Sequence, residues 1–275
     1  MTGLSLVWLI AGVVIAATWL ASVATRDSSW VDRIWSVVPV AYLWVFAATS
    51  GWDARVVLVA VLVTLWGIRL TYNFARKGGY RGVEDYRWPI LRSRMRPWQY
   101  QIFQLLFISG YQNVLLVLIT LPAWTMSEHP RPLGGWDWLL AVLFLLFLTG
   151  ETVADQQQWE FHQRKEAARA AGQPIGIGFL SSGLFRYSRH PNFFFEQLQW
   201  WVVFGFAVVA AGSPWQPTVL GAVLLTLLFV GSTLFTESLS AAKYPEYAHY
   251  RRRTSMLIPW PPRSVSSAPQ PSRRD

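Results

Sequence analysis

Polar and ionisable side chains recur at helical spacing inside apolar stretches of this sequence. Glu151 and Asp155 are four residues apart, and so are Asn192 and Glu196. Residues four apart lie on the same face of a helix, so each pair can present its polar groups together. A charged side chain inside a membrane span costs about 3 kcal/mol even on a lenient insertion scale, so such a residue is a functional-site hypothesis by default. The pairs predict a site for a polar ligand.

Two further stretches show the same pattern. The first has polar residues at i, i+3, i+4 and i+7, which are Arg69, Tyr72, Asn73 and Arg76. The second is rich in threonine and serine around a glutamate, and it comprises Thr233, Thr236, Glu237 and Ser240. Taken singly, each stretch is explained equally well by a ligand site and by hydrogen bonds between packed helices. Taken together, polar faces on four helices at one depth predict a hydrated pocket for an anionic cytosolic ligand and an apolar partner from the lipid.

The stretch "GLFRYSRHPNFFFEQLQWW", residues 183–201, joins basic residues to an apolar helix. A residue before proline is biased away from helix, so His190 should be extended and a helix should begin at Pro191 or Asn192. The free amides of that first turn, beside Arg186 and Arg189, suit a phosphate. The preceding "GIGFLSSG" has two glycines spaced as in a dinucleotide turn, but no predicted strand precedes it, so it is not a Rossmann fingerprint.

Composition identifies the elements that must position these residues. Of 275 residues, 53% are hydrophobic and 14% are charged, against about 25% charged in soluble proteins. Crossing a bilayer takes about 17 to 25 mostly apolar residues. The sequence therefore predicts an all-α, multi-pass membrane bundle of about seven helices. The segments run over residues 3–23, 34–50, 54–74, 100–123, 136–158, 193–211 and 217–238, and the short second one can extend back through Val31 and Asp32.

Positive charge predicts the orientation of this bundle in the lipid bilayer. With the amino terminus outside, the cytoplasmic segments contain all but three of the 24 lysines and arginines, the exceptions being Arg55, Arg69 and Arg131. Lys and Arg near span ends mark cytoplasmic loops. The carboxyl terminus is then cytoplasmic, and the net charge of +9 is a topology signal, so nucleic-acid binding is not expected.

Other classes of chemistry find little support in the sequence. The chain has no cysteine and four scattered histidines, so thiolate chemistry is absent and a dedicated zinc site is not expected. We find no internal repeat, and residues 1–260 read as one transmembrane domain. Residues 261–275, rich in Pro, Ser and Arg, read as a disordered tail.

Several motifs together resemble the steroid 5α-reductase superfamily, in particular its bacterial branch DUF1295. "SSGLFRYSRHPNFFFEQLQWW" resembles the family signature, and "LWGIRLTYNFARKGGYRGVEDYRW", "ETVADQQQWEFHQRK" and "YPEYAHYRRRTSMLIPW" follow that branch in the same order. The resemblance covers about residues 30–260. It implies a seven-helix membrane enzyme, placed in a bacterial inner membrane by the branch it resembles, that uses NADPH to reduce a carbon–carbon double bond conjugated to a carbonyl in a steroid-like or other apolar lipid.

The resemblance also implies roles for individual residues. Asn192 matches a cofactor-binding asparagine, and Glu196 the acid one turn later, which makes it a catalytic candidate. Asp155 matches an aspartate that contacts the nucleotide, although Glu151 stands where the steroid enzymes have asparagine. Arg69 matches an arginine facing the cofactor phosphates. The remaining cofactor-binding candidates are Asn73, Arg76, Glu151, Arg164, Tyr187, Arg189, His190, Glu237 and Tyr244.

The resemblance leaves the catalytic acid open. "DRIWSVVP", from Asp32, resembles the stretch that begins with a carbonyl-polarising glutamate in the steroid enzymes. The partner tyrosine of those enzymes is replaced by Trp66, whose indole donates a hydrogen bond but supplies no proton. Either Tyr72 or another group is then the proton donor, or the substrate is not a 3-ketosteroid. Alternatively, Asp32 simply pairs with Arg33 or Arg69.

Two other functions fit parts of the sequence. Isoprenylcysteine carboxyl methyltransferases, which use S-adenosylmethionine, share the Arg-His-Pro element and an acidic residue in a carboxyl-terminal region similar to "TES...YPEYAHYRRR". The asparagine after the proline, the additional amino-terminal helices and the Glu151/Asp155 pair disfavour that assignment. A non-catalytic lipid-binding protein, whose polar residues only hold helices together, is the remaining alternative.

Overall fold

The computed structural model describes residues 1–174 and 176–264. It is 74% helix, and no strand occurs in the described residues. The α-helices are α1 (Gly3–Thr25), α2 (Trp30–Ile34), α3 (Val38–Thr49), α4 (Ala54–Arg76), α5 (Arg87–Ser93), α6 (Pro97–Phe103), α7 (Gln112–Thr120), α8 (Pro122–Glu128), α9 (Gly135–Ala170), α10 (Pro191–Ala211), α11 (Val219–Lys243) and α12 (Tyr247–Arg253). A π-helix, Gln104–Tyr111, joins α6 to α7, and a 3₁₀-helix, Gly183–Arg186, precedes α10.

The predicted all-α membrane bundle is confirmed. Among the described residues, six helical stretches are long and apolar enough to cross a bilayer, and they correspond to six predicted segments: Gly3–Thr25, Ala54–Arg76, Pro97–Glu128, Gly135–Ala170, Pro191–Ala211 and Val219–Lys243. The seventh, Val38–Thr49, is apolar but shorter. The protein is thus an integral, multi-pass membrane protein, and its orientation in the bilayer stays a prediction.

The suggested backward extension of the second span is wrong. Asp32 lies in the separate short helix α2, and a turn separates it from Val38. Pro39 falls in the first turn of α3, where a missing N–H costs nothing, whereas deeper inside a helix its ring would clash with the preceding turn. The proline therefore starts a new helix instead of continuing α2.

The chain divides into two compact units. Unit 1 comprises Met1–Leu148 and Gln197–Leu227, and unit 2 comprises Thr149–Glu196 and Leu228–Asp275. Residues 265–275, most of the predicted tail, lie outside the described residues. Just before them, the Arg263 N–H donates to the carbonyl of Arg253 at 2.9 Å, so the start of the predicted tail is held against the end of α12.

The core of unit 1 forms where α3 packs on α4. Tyr42 and Phe46 from α3, and Val63 and Trp66 from α4, are at most 1% exposed. Gly67 permits a close approach to the turn before α3, because a Cβ at that position would lie 2.7 Å from the carbonyl oxygen of Ser36. This packing fixes the face of α4 that is turned inward.

A buried ion pair joins α4 to α9 within unit 1. Arg55 Nε donates to Asp137 Oδ1 at 2.6 Å and Nη2 donates to Oδ2 at 3.0 Å, with side chains 2% and 0% exposed. Asp137 also accepts from the Gly134 N–H, and Arg55 donates to the Pro132 carbonyl. The pair therefore also holds the loop before α9.

Removing one charge of this pair should unfold unit 1 readily. We expect Asp137→Ala to destabilise the protein by about 3 to 5 kcal/mol, because it leaves the Arg55 guanidinium buried without its counterion. Thermal unfolding in detergent measures the loss. The double variant Arg55→Met/Asp137→Leu, which removes both charges, should recover most of the stability; a double variant as unstable as the single one would contradict this account.

Unit 2 is built around aromatic contacts between its helices and loops. Phe193 of α10 stacks on Phe229 of α11 with ring centroids 4.8 Å apart. Phe179, in the loop before the 3₁₀-helix, contacts the rings of Tyr247 and Tyr250 at 5.0 and 5.3 Å. The loop that follows α9 is thereby held against α12.

Candidate functional site

Unit 2 contains a polar cluster that we define as Glu151, Asp155, Asn192 and Glu196. The three carboxylate side chains are 2%, 4% and 6% exposed, respectively for Glu151, Asp155 and Glu196. Asn192 Nδ2 donates to Asp155 Oδ1 at 3.5 Å, which joins α9 to α10. The structure thus brings together two helix pairs that the sequence identified separately.

Local sequence places this cluster. Pro191 begins α10, as predicted, and this puts Asn192 in the first turn, with Glu196 one turn further on the same face. Gly150 lets α9 approach α10 closely, because a Cβ there would lie 2.7 Å from the ring of Phe195. The glycine next to Glu151 therefore contributes to the short distance between the two helices.

The Arg-His-Pro element is held by an acid from α11. Arg189 Nε and Nη2 donate to Glu237 Oε1 and Oε2 at 2.6 and 3.0 Å, and His190 Nε2 lies 3.2 Å from Oε1. Arg189 Nη1 also donates to the carbonyls of Arg251 and Thr254. The sequence predicted Arg189 and Glu237 as separate cofactor ligands, but this geometry makes them partners of each other and favours a positioning role.

The segment after α12 is tied to the same element. The N–H groups of Arg189 and His190 donate to the carbonyls of Ser255 and Met256 at 2.9 and 3.2 Å. The Tyr187 carbonyl accepts from the Trp260 N–H at 2.9 Å, while the Tyr187 ring remains 43% exposed. Because this backbone is fixed on both sides, the start of α10 is rigidly placed, and the Tyr187 ring is accessible to a ligand.

A lysine–tyrosine pair lies at the ends of α9 and α11. Lys165 Nζ donates to the Tyr244 hydroxyl at 2.9 Å and to the Gly178 carbonyl at 2.7 Å. This hydrogen bond from a cation lowers the pKa of Tyr244 below its ordinary value. Arg164, the neighbouring residue, is exposed. The site therefore presents a positively charged edge outside the membrane-spanning part of α11.

Glycine is required where this pair meets the loop. A Cβ on Gly178 would lie 2.1 Å from Tyr244 Cε1, so Gly178→Ala should displace the tyrosine ring and break its bond to Lys165. We expect the phenol titration of Tyr244 to move up toward its ordinary pKa, which ultraviolet difference titration against a Tyr244→Phe reference would detect. Gly176→Ala is the matched control, since nothing lies within 4 Å of a Cβ there; an unchanged titration in Gly178→Ala would contradict the packing argument.

Unit 1 contains the predicted polar residues of α4, but they do not share one environment. Asn73 is 6% exposed and accepts from Arg76 Nε at 2.9 Å. Tyr72 is 65% exposed, and the Arg76 guanidinium lies 5.5 Å from its ring centroid. Two adjacent polar residues of α4 therefore differ in exposure, and Tyr72 is the exposed one. A proton-donor role for Tyr72 gains no support from this position, whereas Arg69, one turn earlier, is partly buried.

Asp32 lies in an aromatic environment in unit 1. Its carboxylate accepts from Trp88 Nε1 at 2.9 Å, and Trp88 belongs to an apolar cluster with Val31, Tyr100 and Ile108. Loss of water raises the pKa of Asp32, and the nearby positive charge of Arg87 opposes this rise. The alternative partner Arg33 is instead bound to Asp27 at 2.5 Å. Asp32 is thus a carboxyl group that holds its proton more tightly than an exposed aspartate does.

Trp66 fills the place where the resemblance expects tyrosine. It is fully buried and meets the ring of Trp200 edge-on, with centroids 5.0 Å apart. Within the described part of the chain, neither indole N–H has a hydrogen-bond partner. Two buried donors are therefore available to an acceptor from outside the protein.

Sequence reasoning missed several residues that organise unit 2. Lys165 and Arg251 were used only as charges that predict the topology, and Gln157 was not among the candidate site residues. Gln157 Oε1 accepts from the Leu184 N–H at 2.9 Å, and Arg251 Nε lies 3.3 Å from Glu237. A Cβ on Gly183 would meet the Gln157 side chain at 2.5 Å. The glycine that begins "GLFRYSRHP" was the available signal for that contact.

Comparison with known proteins identifies the family. A Schizosaccharomyces pombe protein described as "Uncharacterized protein C594.04c" is 37% identical over 258 residues, which cover 88% of this chain and 75% of the relative. No solved structure matches the chain significantly. The model of the family described as "Protein of unknown function (DUF1295)" matches residues 18–254. The chain therefore belongs to the DUF1295 family.

Proposed function

We propose that the protein is a membrane-embedded, NADPH-dependent reductase of a carbon–carbon double bond conjugated to a carbonyl in a steroid-like or other apolar lipid. The observation that carries the proposal is the polar cluster of unit 2, in which three buried carboxylates of α9 and α10 lie with the half-buried amide of Asn192. Burying such groups in a membrane-spanning region is costly and is typical of a functional site.

The chemistry of this cluster fits a nicotinamide. A carboxamide offers N–H donors and a carbonyl acceptor, and carboxylate oxygens of Asp155 and Glu196, with the Asn192 side-chain amide, complement both. Arg164, which is exposed, and Lys165 of the positively charged edge are the candidates for the nucleotide phosphates. The resemblance separately matches Arg69 to an arginine that faces the cofactor phosphates. When bound, the dinucleotide supplies a hydride.

The second part of the proposed chemistry is the polarisation of the substrate carbonyl by hydrogen-bond donors of the protein. In this proposal Asp32 donates a hydrogen bond from its protonated carboxyl, for which its raised pKa is suited. The unpaired indole N–H of Trp66 is a second donor. Hydrogen bonds of this kind stabilise the negative charge that develops on the oxygen when hydride reaches the β-carbon. The aromatic residues around Trp88 would accommodate the apolar body of the substrate.

Direct binding tests the class of cofactor. We expect detergent-purified protein to bind NADPH saturably by calorimetry, more tightly than NADH, and not to bind S-adenosylmethionine. Preference for S-adenosylmethionine would replace the proposal by methyl transfer. Binding of none of the three would favour the non-catalytic alternative, in which the buried polar groups only join helices.

The membrane in which the protein acts is a separate expectation. The sequence predicted a bacterial inner membrane from the branch it resembles, and an endoplasmic reticulum location for a eukaryotic source. The relative from Schizosaccharomyces pombe means that membership of the family does not choose between them.

A further inference from the structure

The π-helix in unit 1 is longer than the single-turn bulges in which this conformation usually occurs. It runs over eight residues, Gln104–Tyr111, between α6 and α7. π-Helical turns are rare and often mark functional sites. Gly110 suits the conformation, because a Cβ there would lie 2.9 Å from the carbonyl oxygen of Leu105. The proposed reductase chemistry uses none of the polar side chains of this segment.

Three polar side chains, one per helical turn, lie buried along it. Gln104, Ser109 and Asn113 are 2%, 1% and 0% exposed. The Asn113 amide donates to the Ser109 carbonyl at 2.8 Å and to Thr18 Oγ1 of α1 at 3.3 Å. This last bond places the Asn113 side chain against α1. We call Thr18, Gln104, Ser109 and Asn113 the α1/π-helix site.

The site has hydrogen-bonding capacity that the protein leaves unused. Gln104 Nε2, Ser109 Oγ and Asn113 Oδ1 have no partner among the residues that the structure describes. Buried polar atoms without partners are costly, and in a bilayer no water is at hand to satisfy them. Thr120, two turns further on α7 and equally buried, bonds instead to the carbonyls of its own helix. Among the described residues of the span Pro97–Glu128, the buried side-chain atoms without partners therefore all belong to this site.

The free atoms define the chemistry of a ligand. An amide N–H donates, a carbonyl oxygen accepts, and a serine hydroxyl does either, which is the complement of an alcohol that donates one hydrogen bond and accepts two. None of the four side chains is charged, so the site does not complement a phosphate or a carboxylate. Its position inside apolar helices favours a ligand whose remaining part is hydrocarbon.

We propose that the α1/π-helix site binds the hydroxyl group of an apolar lipid. Sterols and diacylglycerols present the same hydroxyl on different hydrocarbon bodies. This binding goes beyond the proposed reduction and does not depend on it, since it involves no residue of the polar cluster and no nucleotide.

Thermal unfolding of the full chain in detergent tests the proposal with four probes. Cholesterol and 1,2-dioleoylglycerol carry the hydroxyl, whereas cholest-5-ene and trioleoylglycerol are counterparts that lack it. We expect saturable stabilisation by at least one alcohol and none by its counterpart; the alcohol that stabilises identifies the source. Equal stabilisation by both members of each pair would overturn the proposal, and so would the absence of stabilisation by any probe. Water would then be the ligand of these polar atoms.

Variants locate the binding. Ser109→Ala removes a buried hydroxyl that lacks a partner, so the fold should persist, while the affinity for the alcohol should fall about three- to tenfold. Gln104→Leu is a second variant, and Thr120→Val is the matched control on the same membrane span, expected to bind as the natural protein does. Unchanged affinity in both Ser109→Ala and Gln104→Leu would place the lipid elsewhere and overturn the assignment.

Discussion

Replacing either Asn192 or Asp155 by alanine should weaken NADPH binding about tenfold to a hundredfold. The two side chains are joined at 3.5 Å, and each truncation removes one hydrogen-bonding group of the proposed nucleotide site together with this contact between α9 and α10. Such a loss costs about 1 to 3 kcal/mol, and each 1.4 kcal/mol changes an affinity tenfold. Titration calorimetry on the detergent-purified variants measures the change.

Two variants separate binding from folding. Asp155→Asn keeps the shape of the side chain, so a loss of affinity in this variant cannot arise from a cavity. Gln156→Ala is the matched control, because Gln156 is the next residue on α9 but is exposed, and its affinity should be unchanged. Unchanged NADPH affinity in both alanine variants would refute the nucleotide site, while leaving the family and the fold as they are.

Asp32→Asn should reduce turnover about a hundredfold or more once a substrate is known. In the proposed function, the carboxyl of Asp32 stabilises the developing charge on the substrate oxygen, and removal of one such group costs about a hundred- to a thousandfold in kcat. Asparagine retains an acceptor for the Trp88 N–H, so the surrounding loop should persist. The measurement is substrate-dependent NADPH oxidation at saturating substrate.

The pH dependence distinguishes the acid from a structural residue. Burial raises the pKa of Asp32, so the native state holds this proton more tightly than the unfolded chain. Its contribution to stability is complete below the ordinary aspartate pKa and is lost as pH rises through the raised one. Turnover that needs the protonated acid should decrease over the same pH range, as pH rises through the raised pKa. In Asp32→Asn this decrease should disappear, and the free energy of unfolding at neutral pH should be equal or higher.

Asp27→Asn is the control for this variant. Asp27 lies in the turn before α2 and is bound to Arg33, so the variant should change turnover little. If Asp32→Asn retained full turnover with a confirmed substrate, the carbonyl-polarising role would be lost, and Trp66 would remain the only donor in unit 1 that this proposal names.

The prediction of the helices succeeded where one physical property decided the outcome. Hydropathy and length determine which segments can cross a bilayer, since backbone groups there must be satisfied within a helix. Pro191 marked the start of α10 because proline fits only a first turn. Helical spacing likewise paired Glu151 with Asp155 and Asn192 with Glu196, because the period of a helix is fixed by local geometry.

Helical spacing alone does not determine which of two adjacent polar residues is buried, because the packing of the helices decides this. Tyr72 and Asn73 are adjacent and both polar, yet one is 65% exposed and the other 6%, because the contact of α3 with α4 sets which face is inward. The π-helix has no signal in the sequence that periodicity detects, since its shift in hydrogen bonding changes the face on which each following residue lies.

The sequence by itself therefore determined the class of protein, the spans, the start of α10 and the residue pairs of its polar cluster. Only the tertiary structure decided that Arg189 binds Glu237, 48 residues away in the chain, and that Lys165 binds Tyr244. It likewise decided that Asp32 accepts a hydrogen bond from Trp88, while Arg33 binds Asp27. The physical reason is that spacing along a helix is local, whereas the partner of a charge depends on which helices and loops meet in the folded chain.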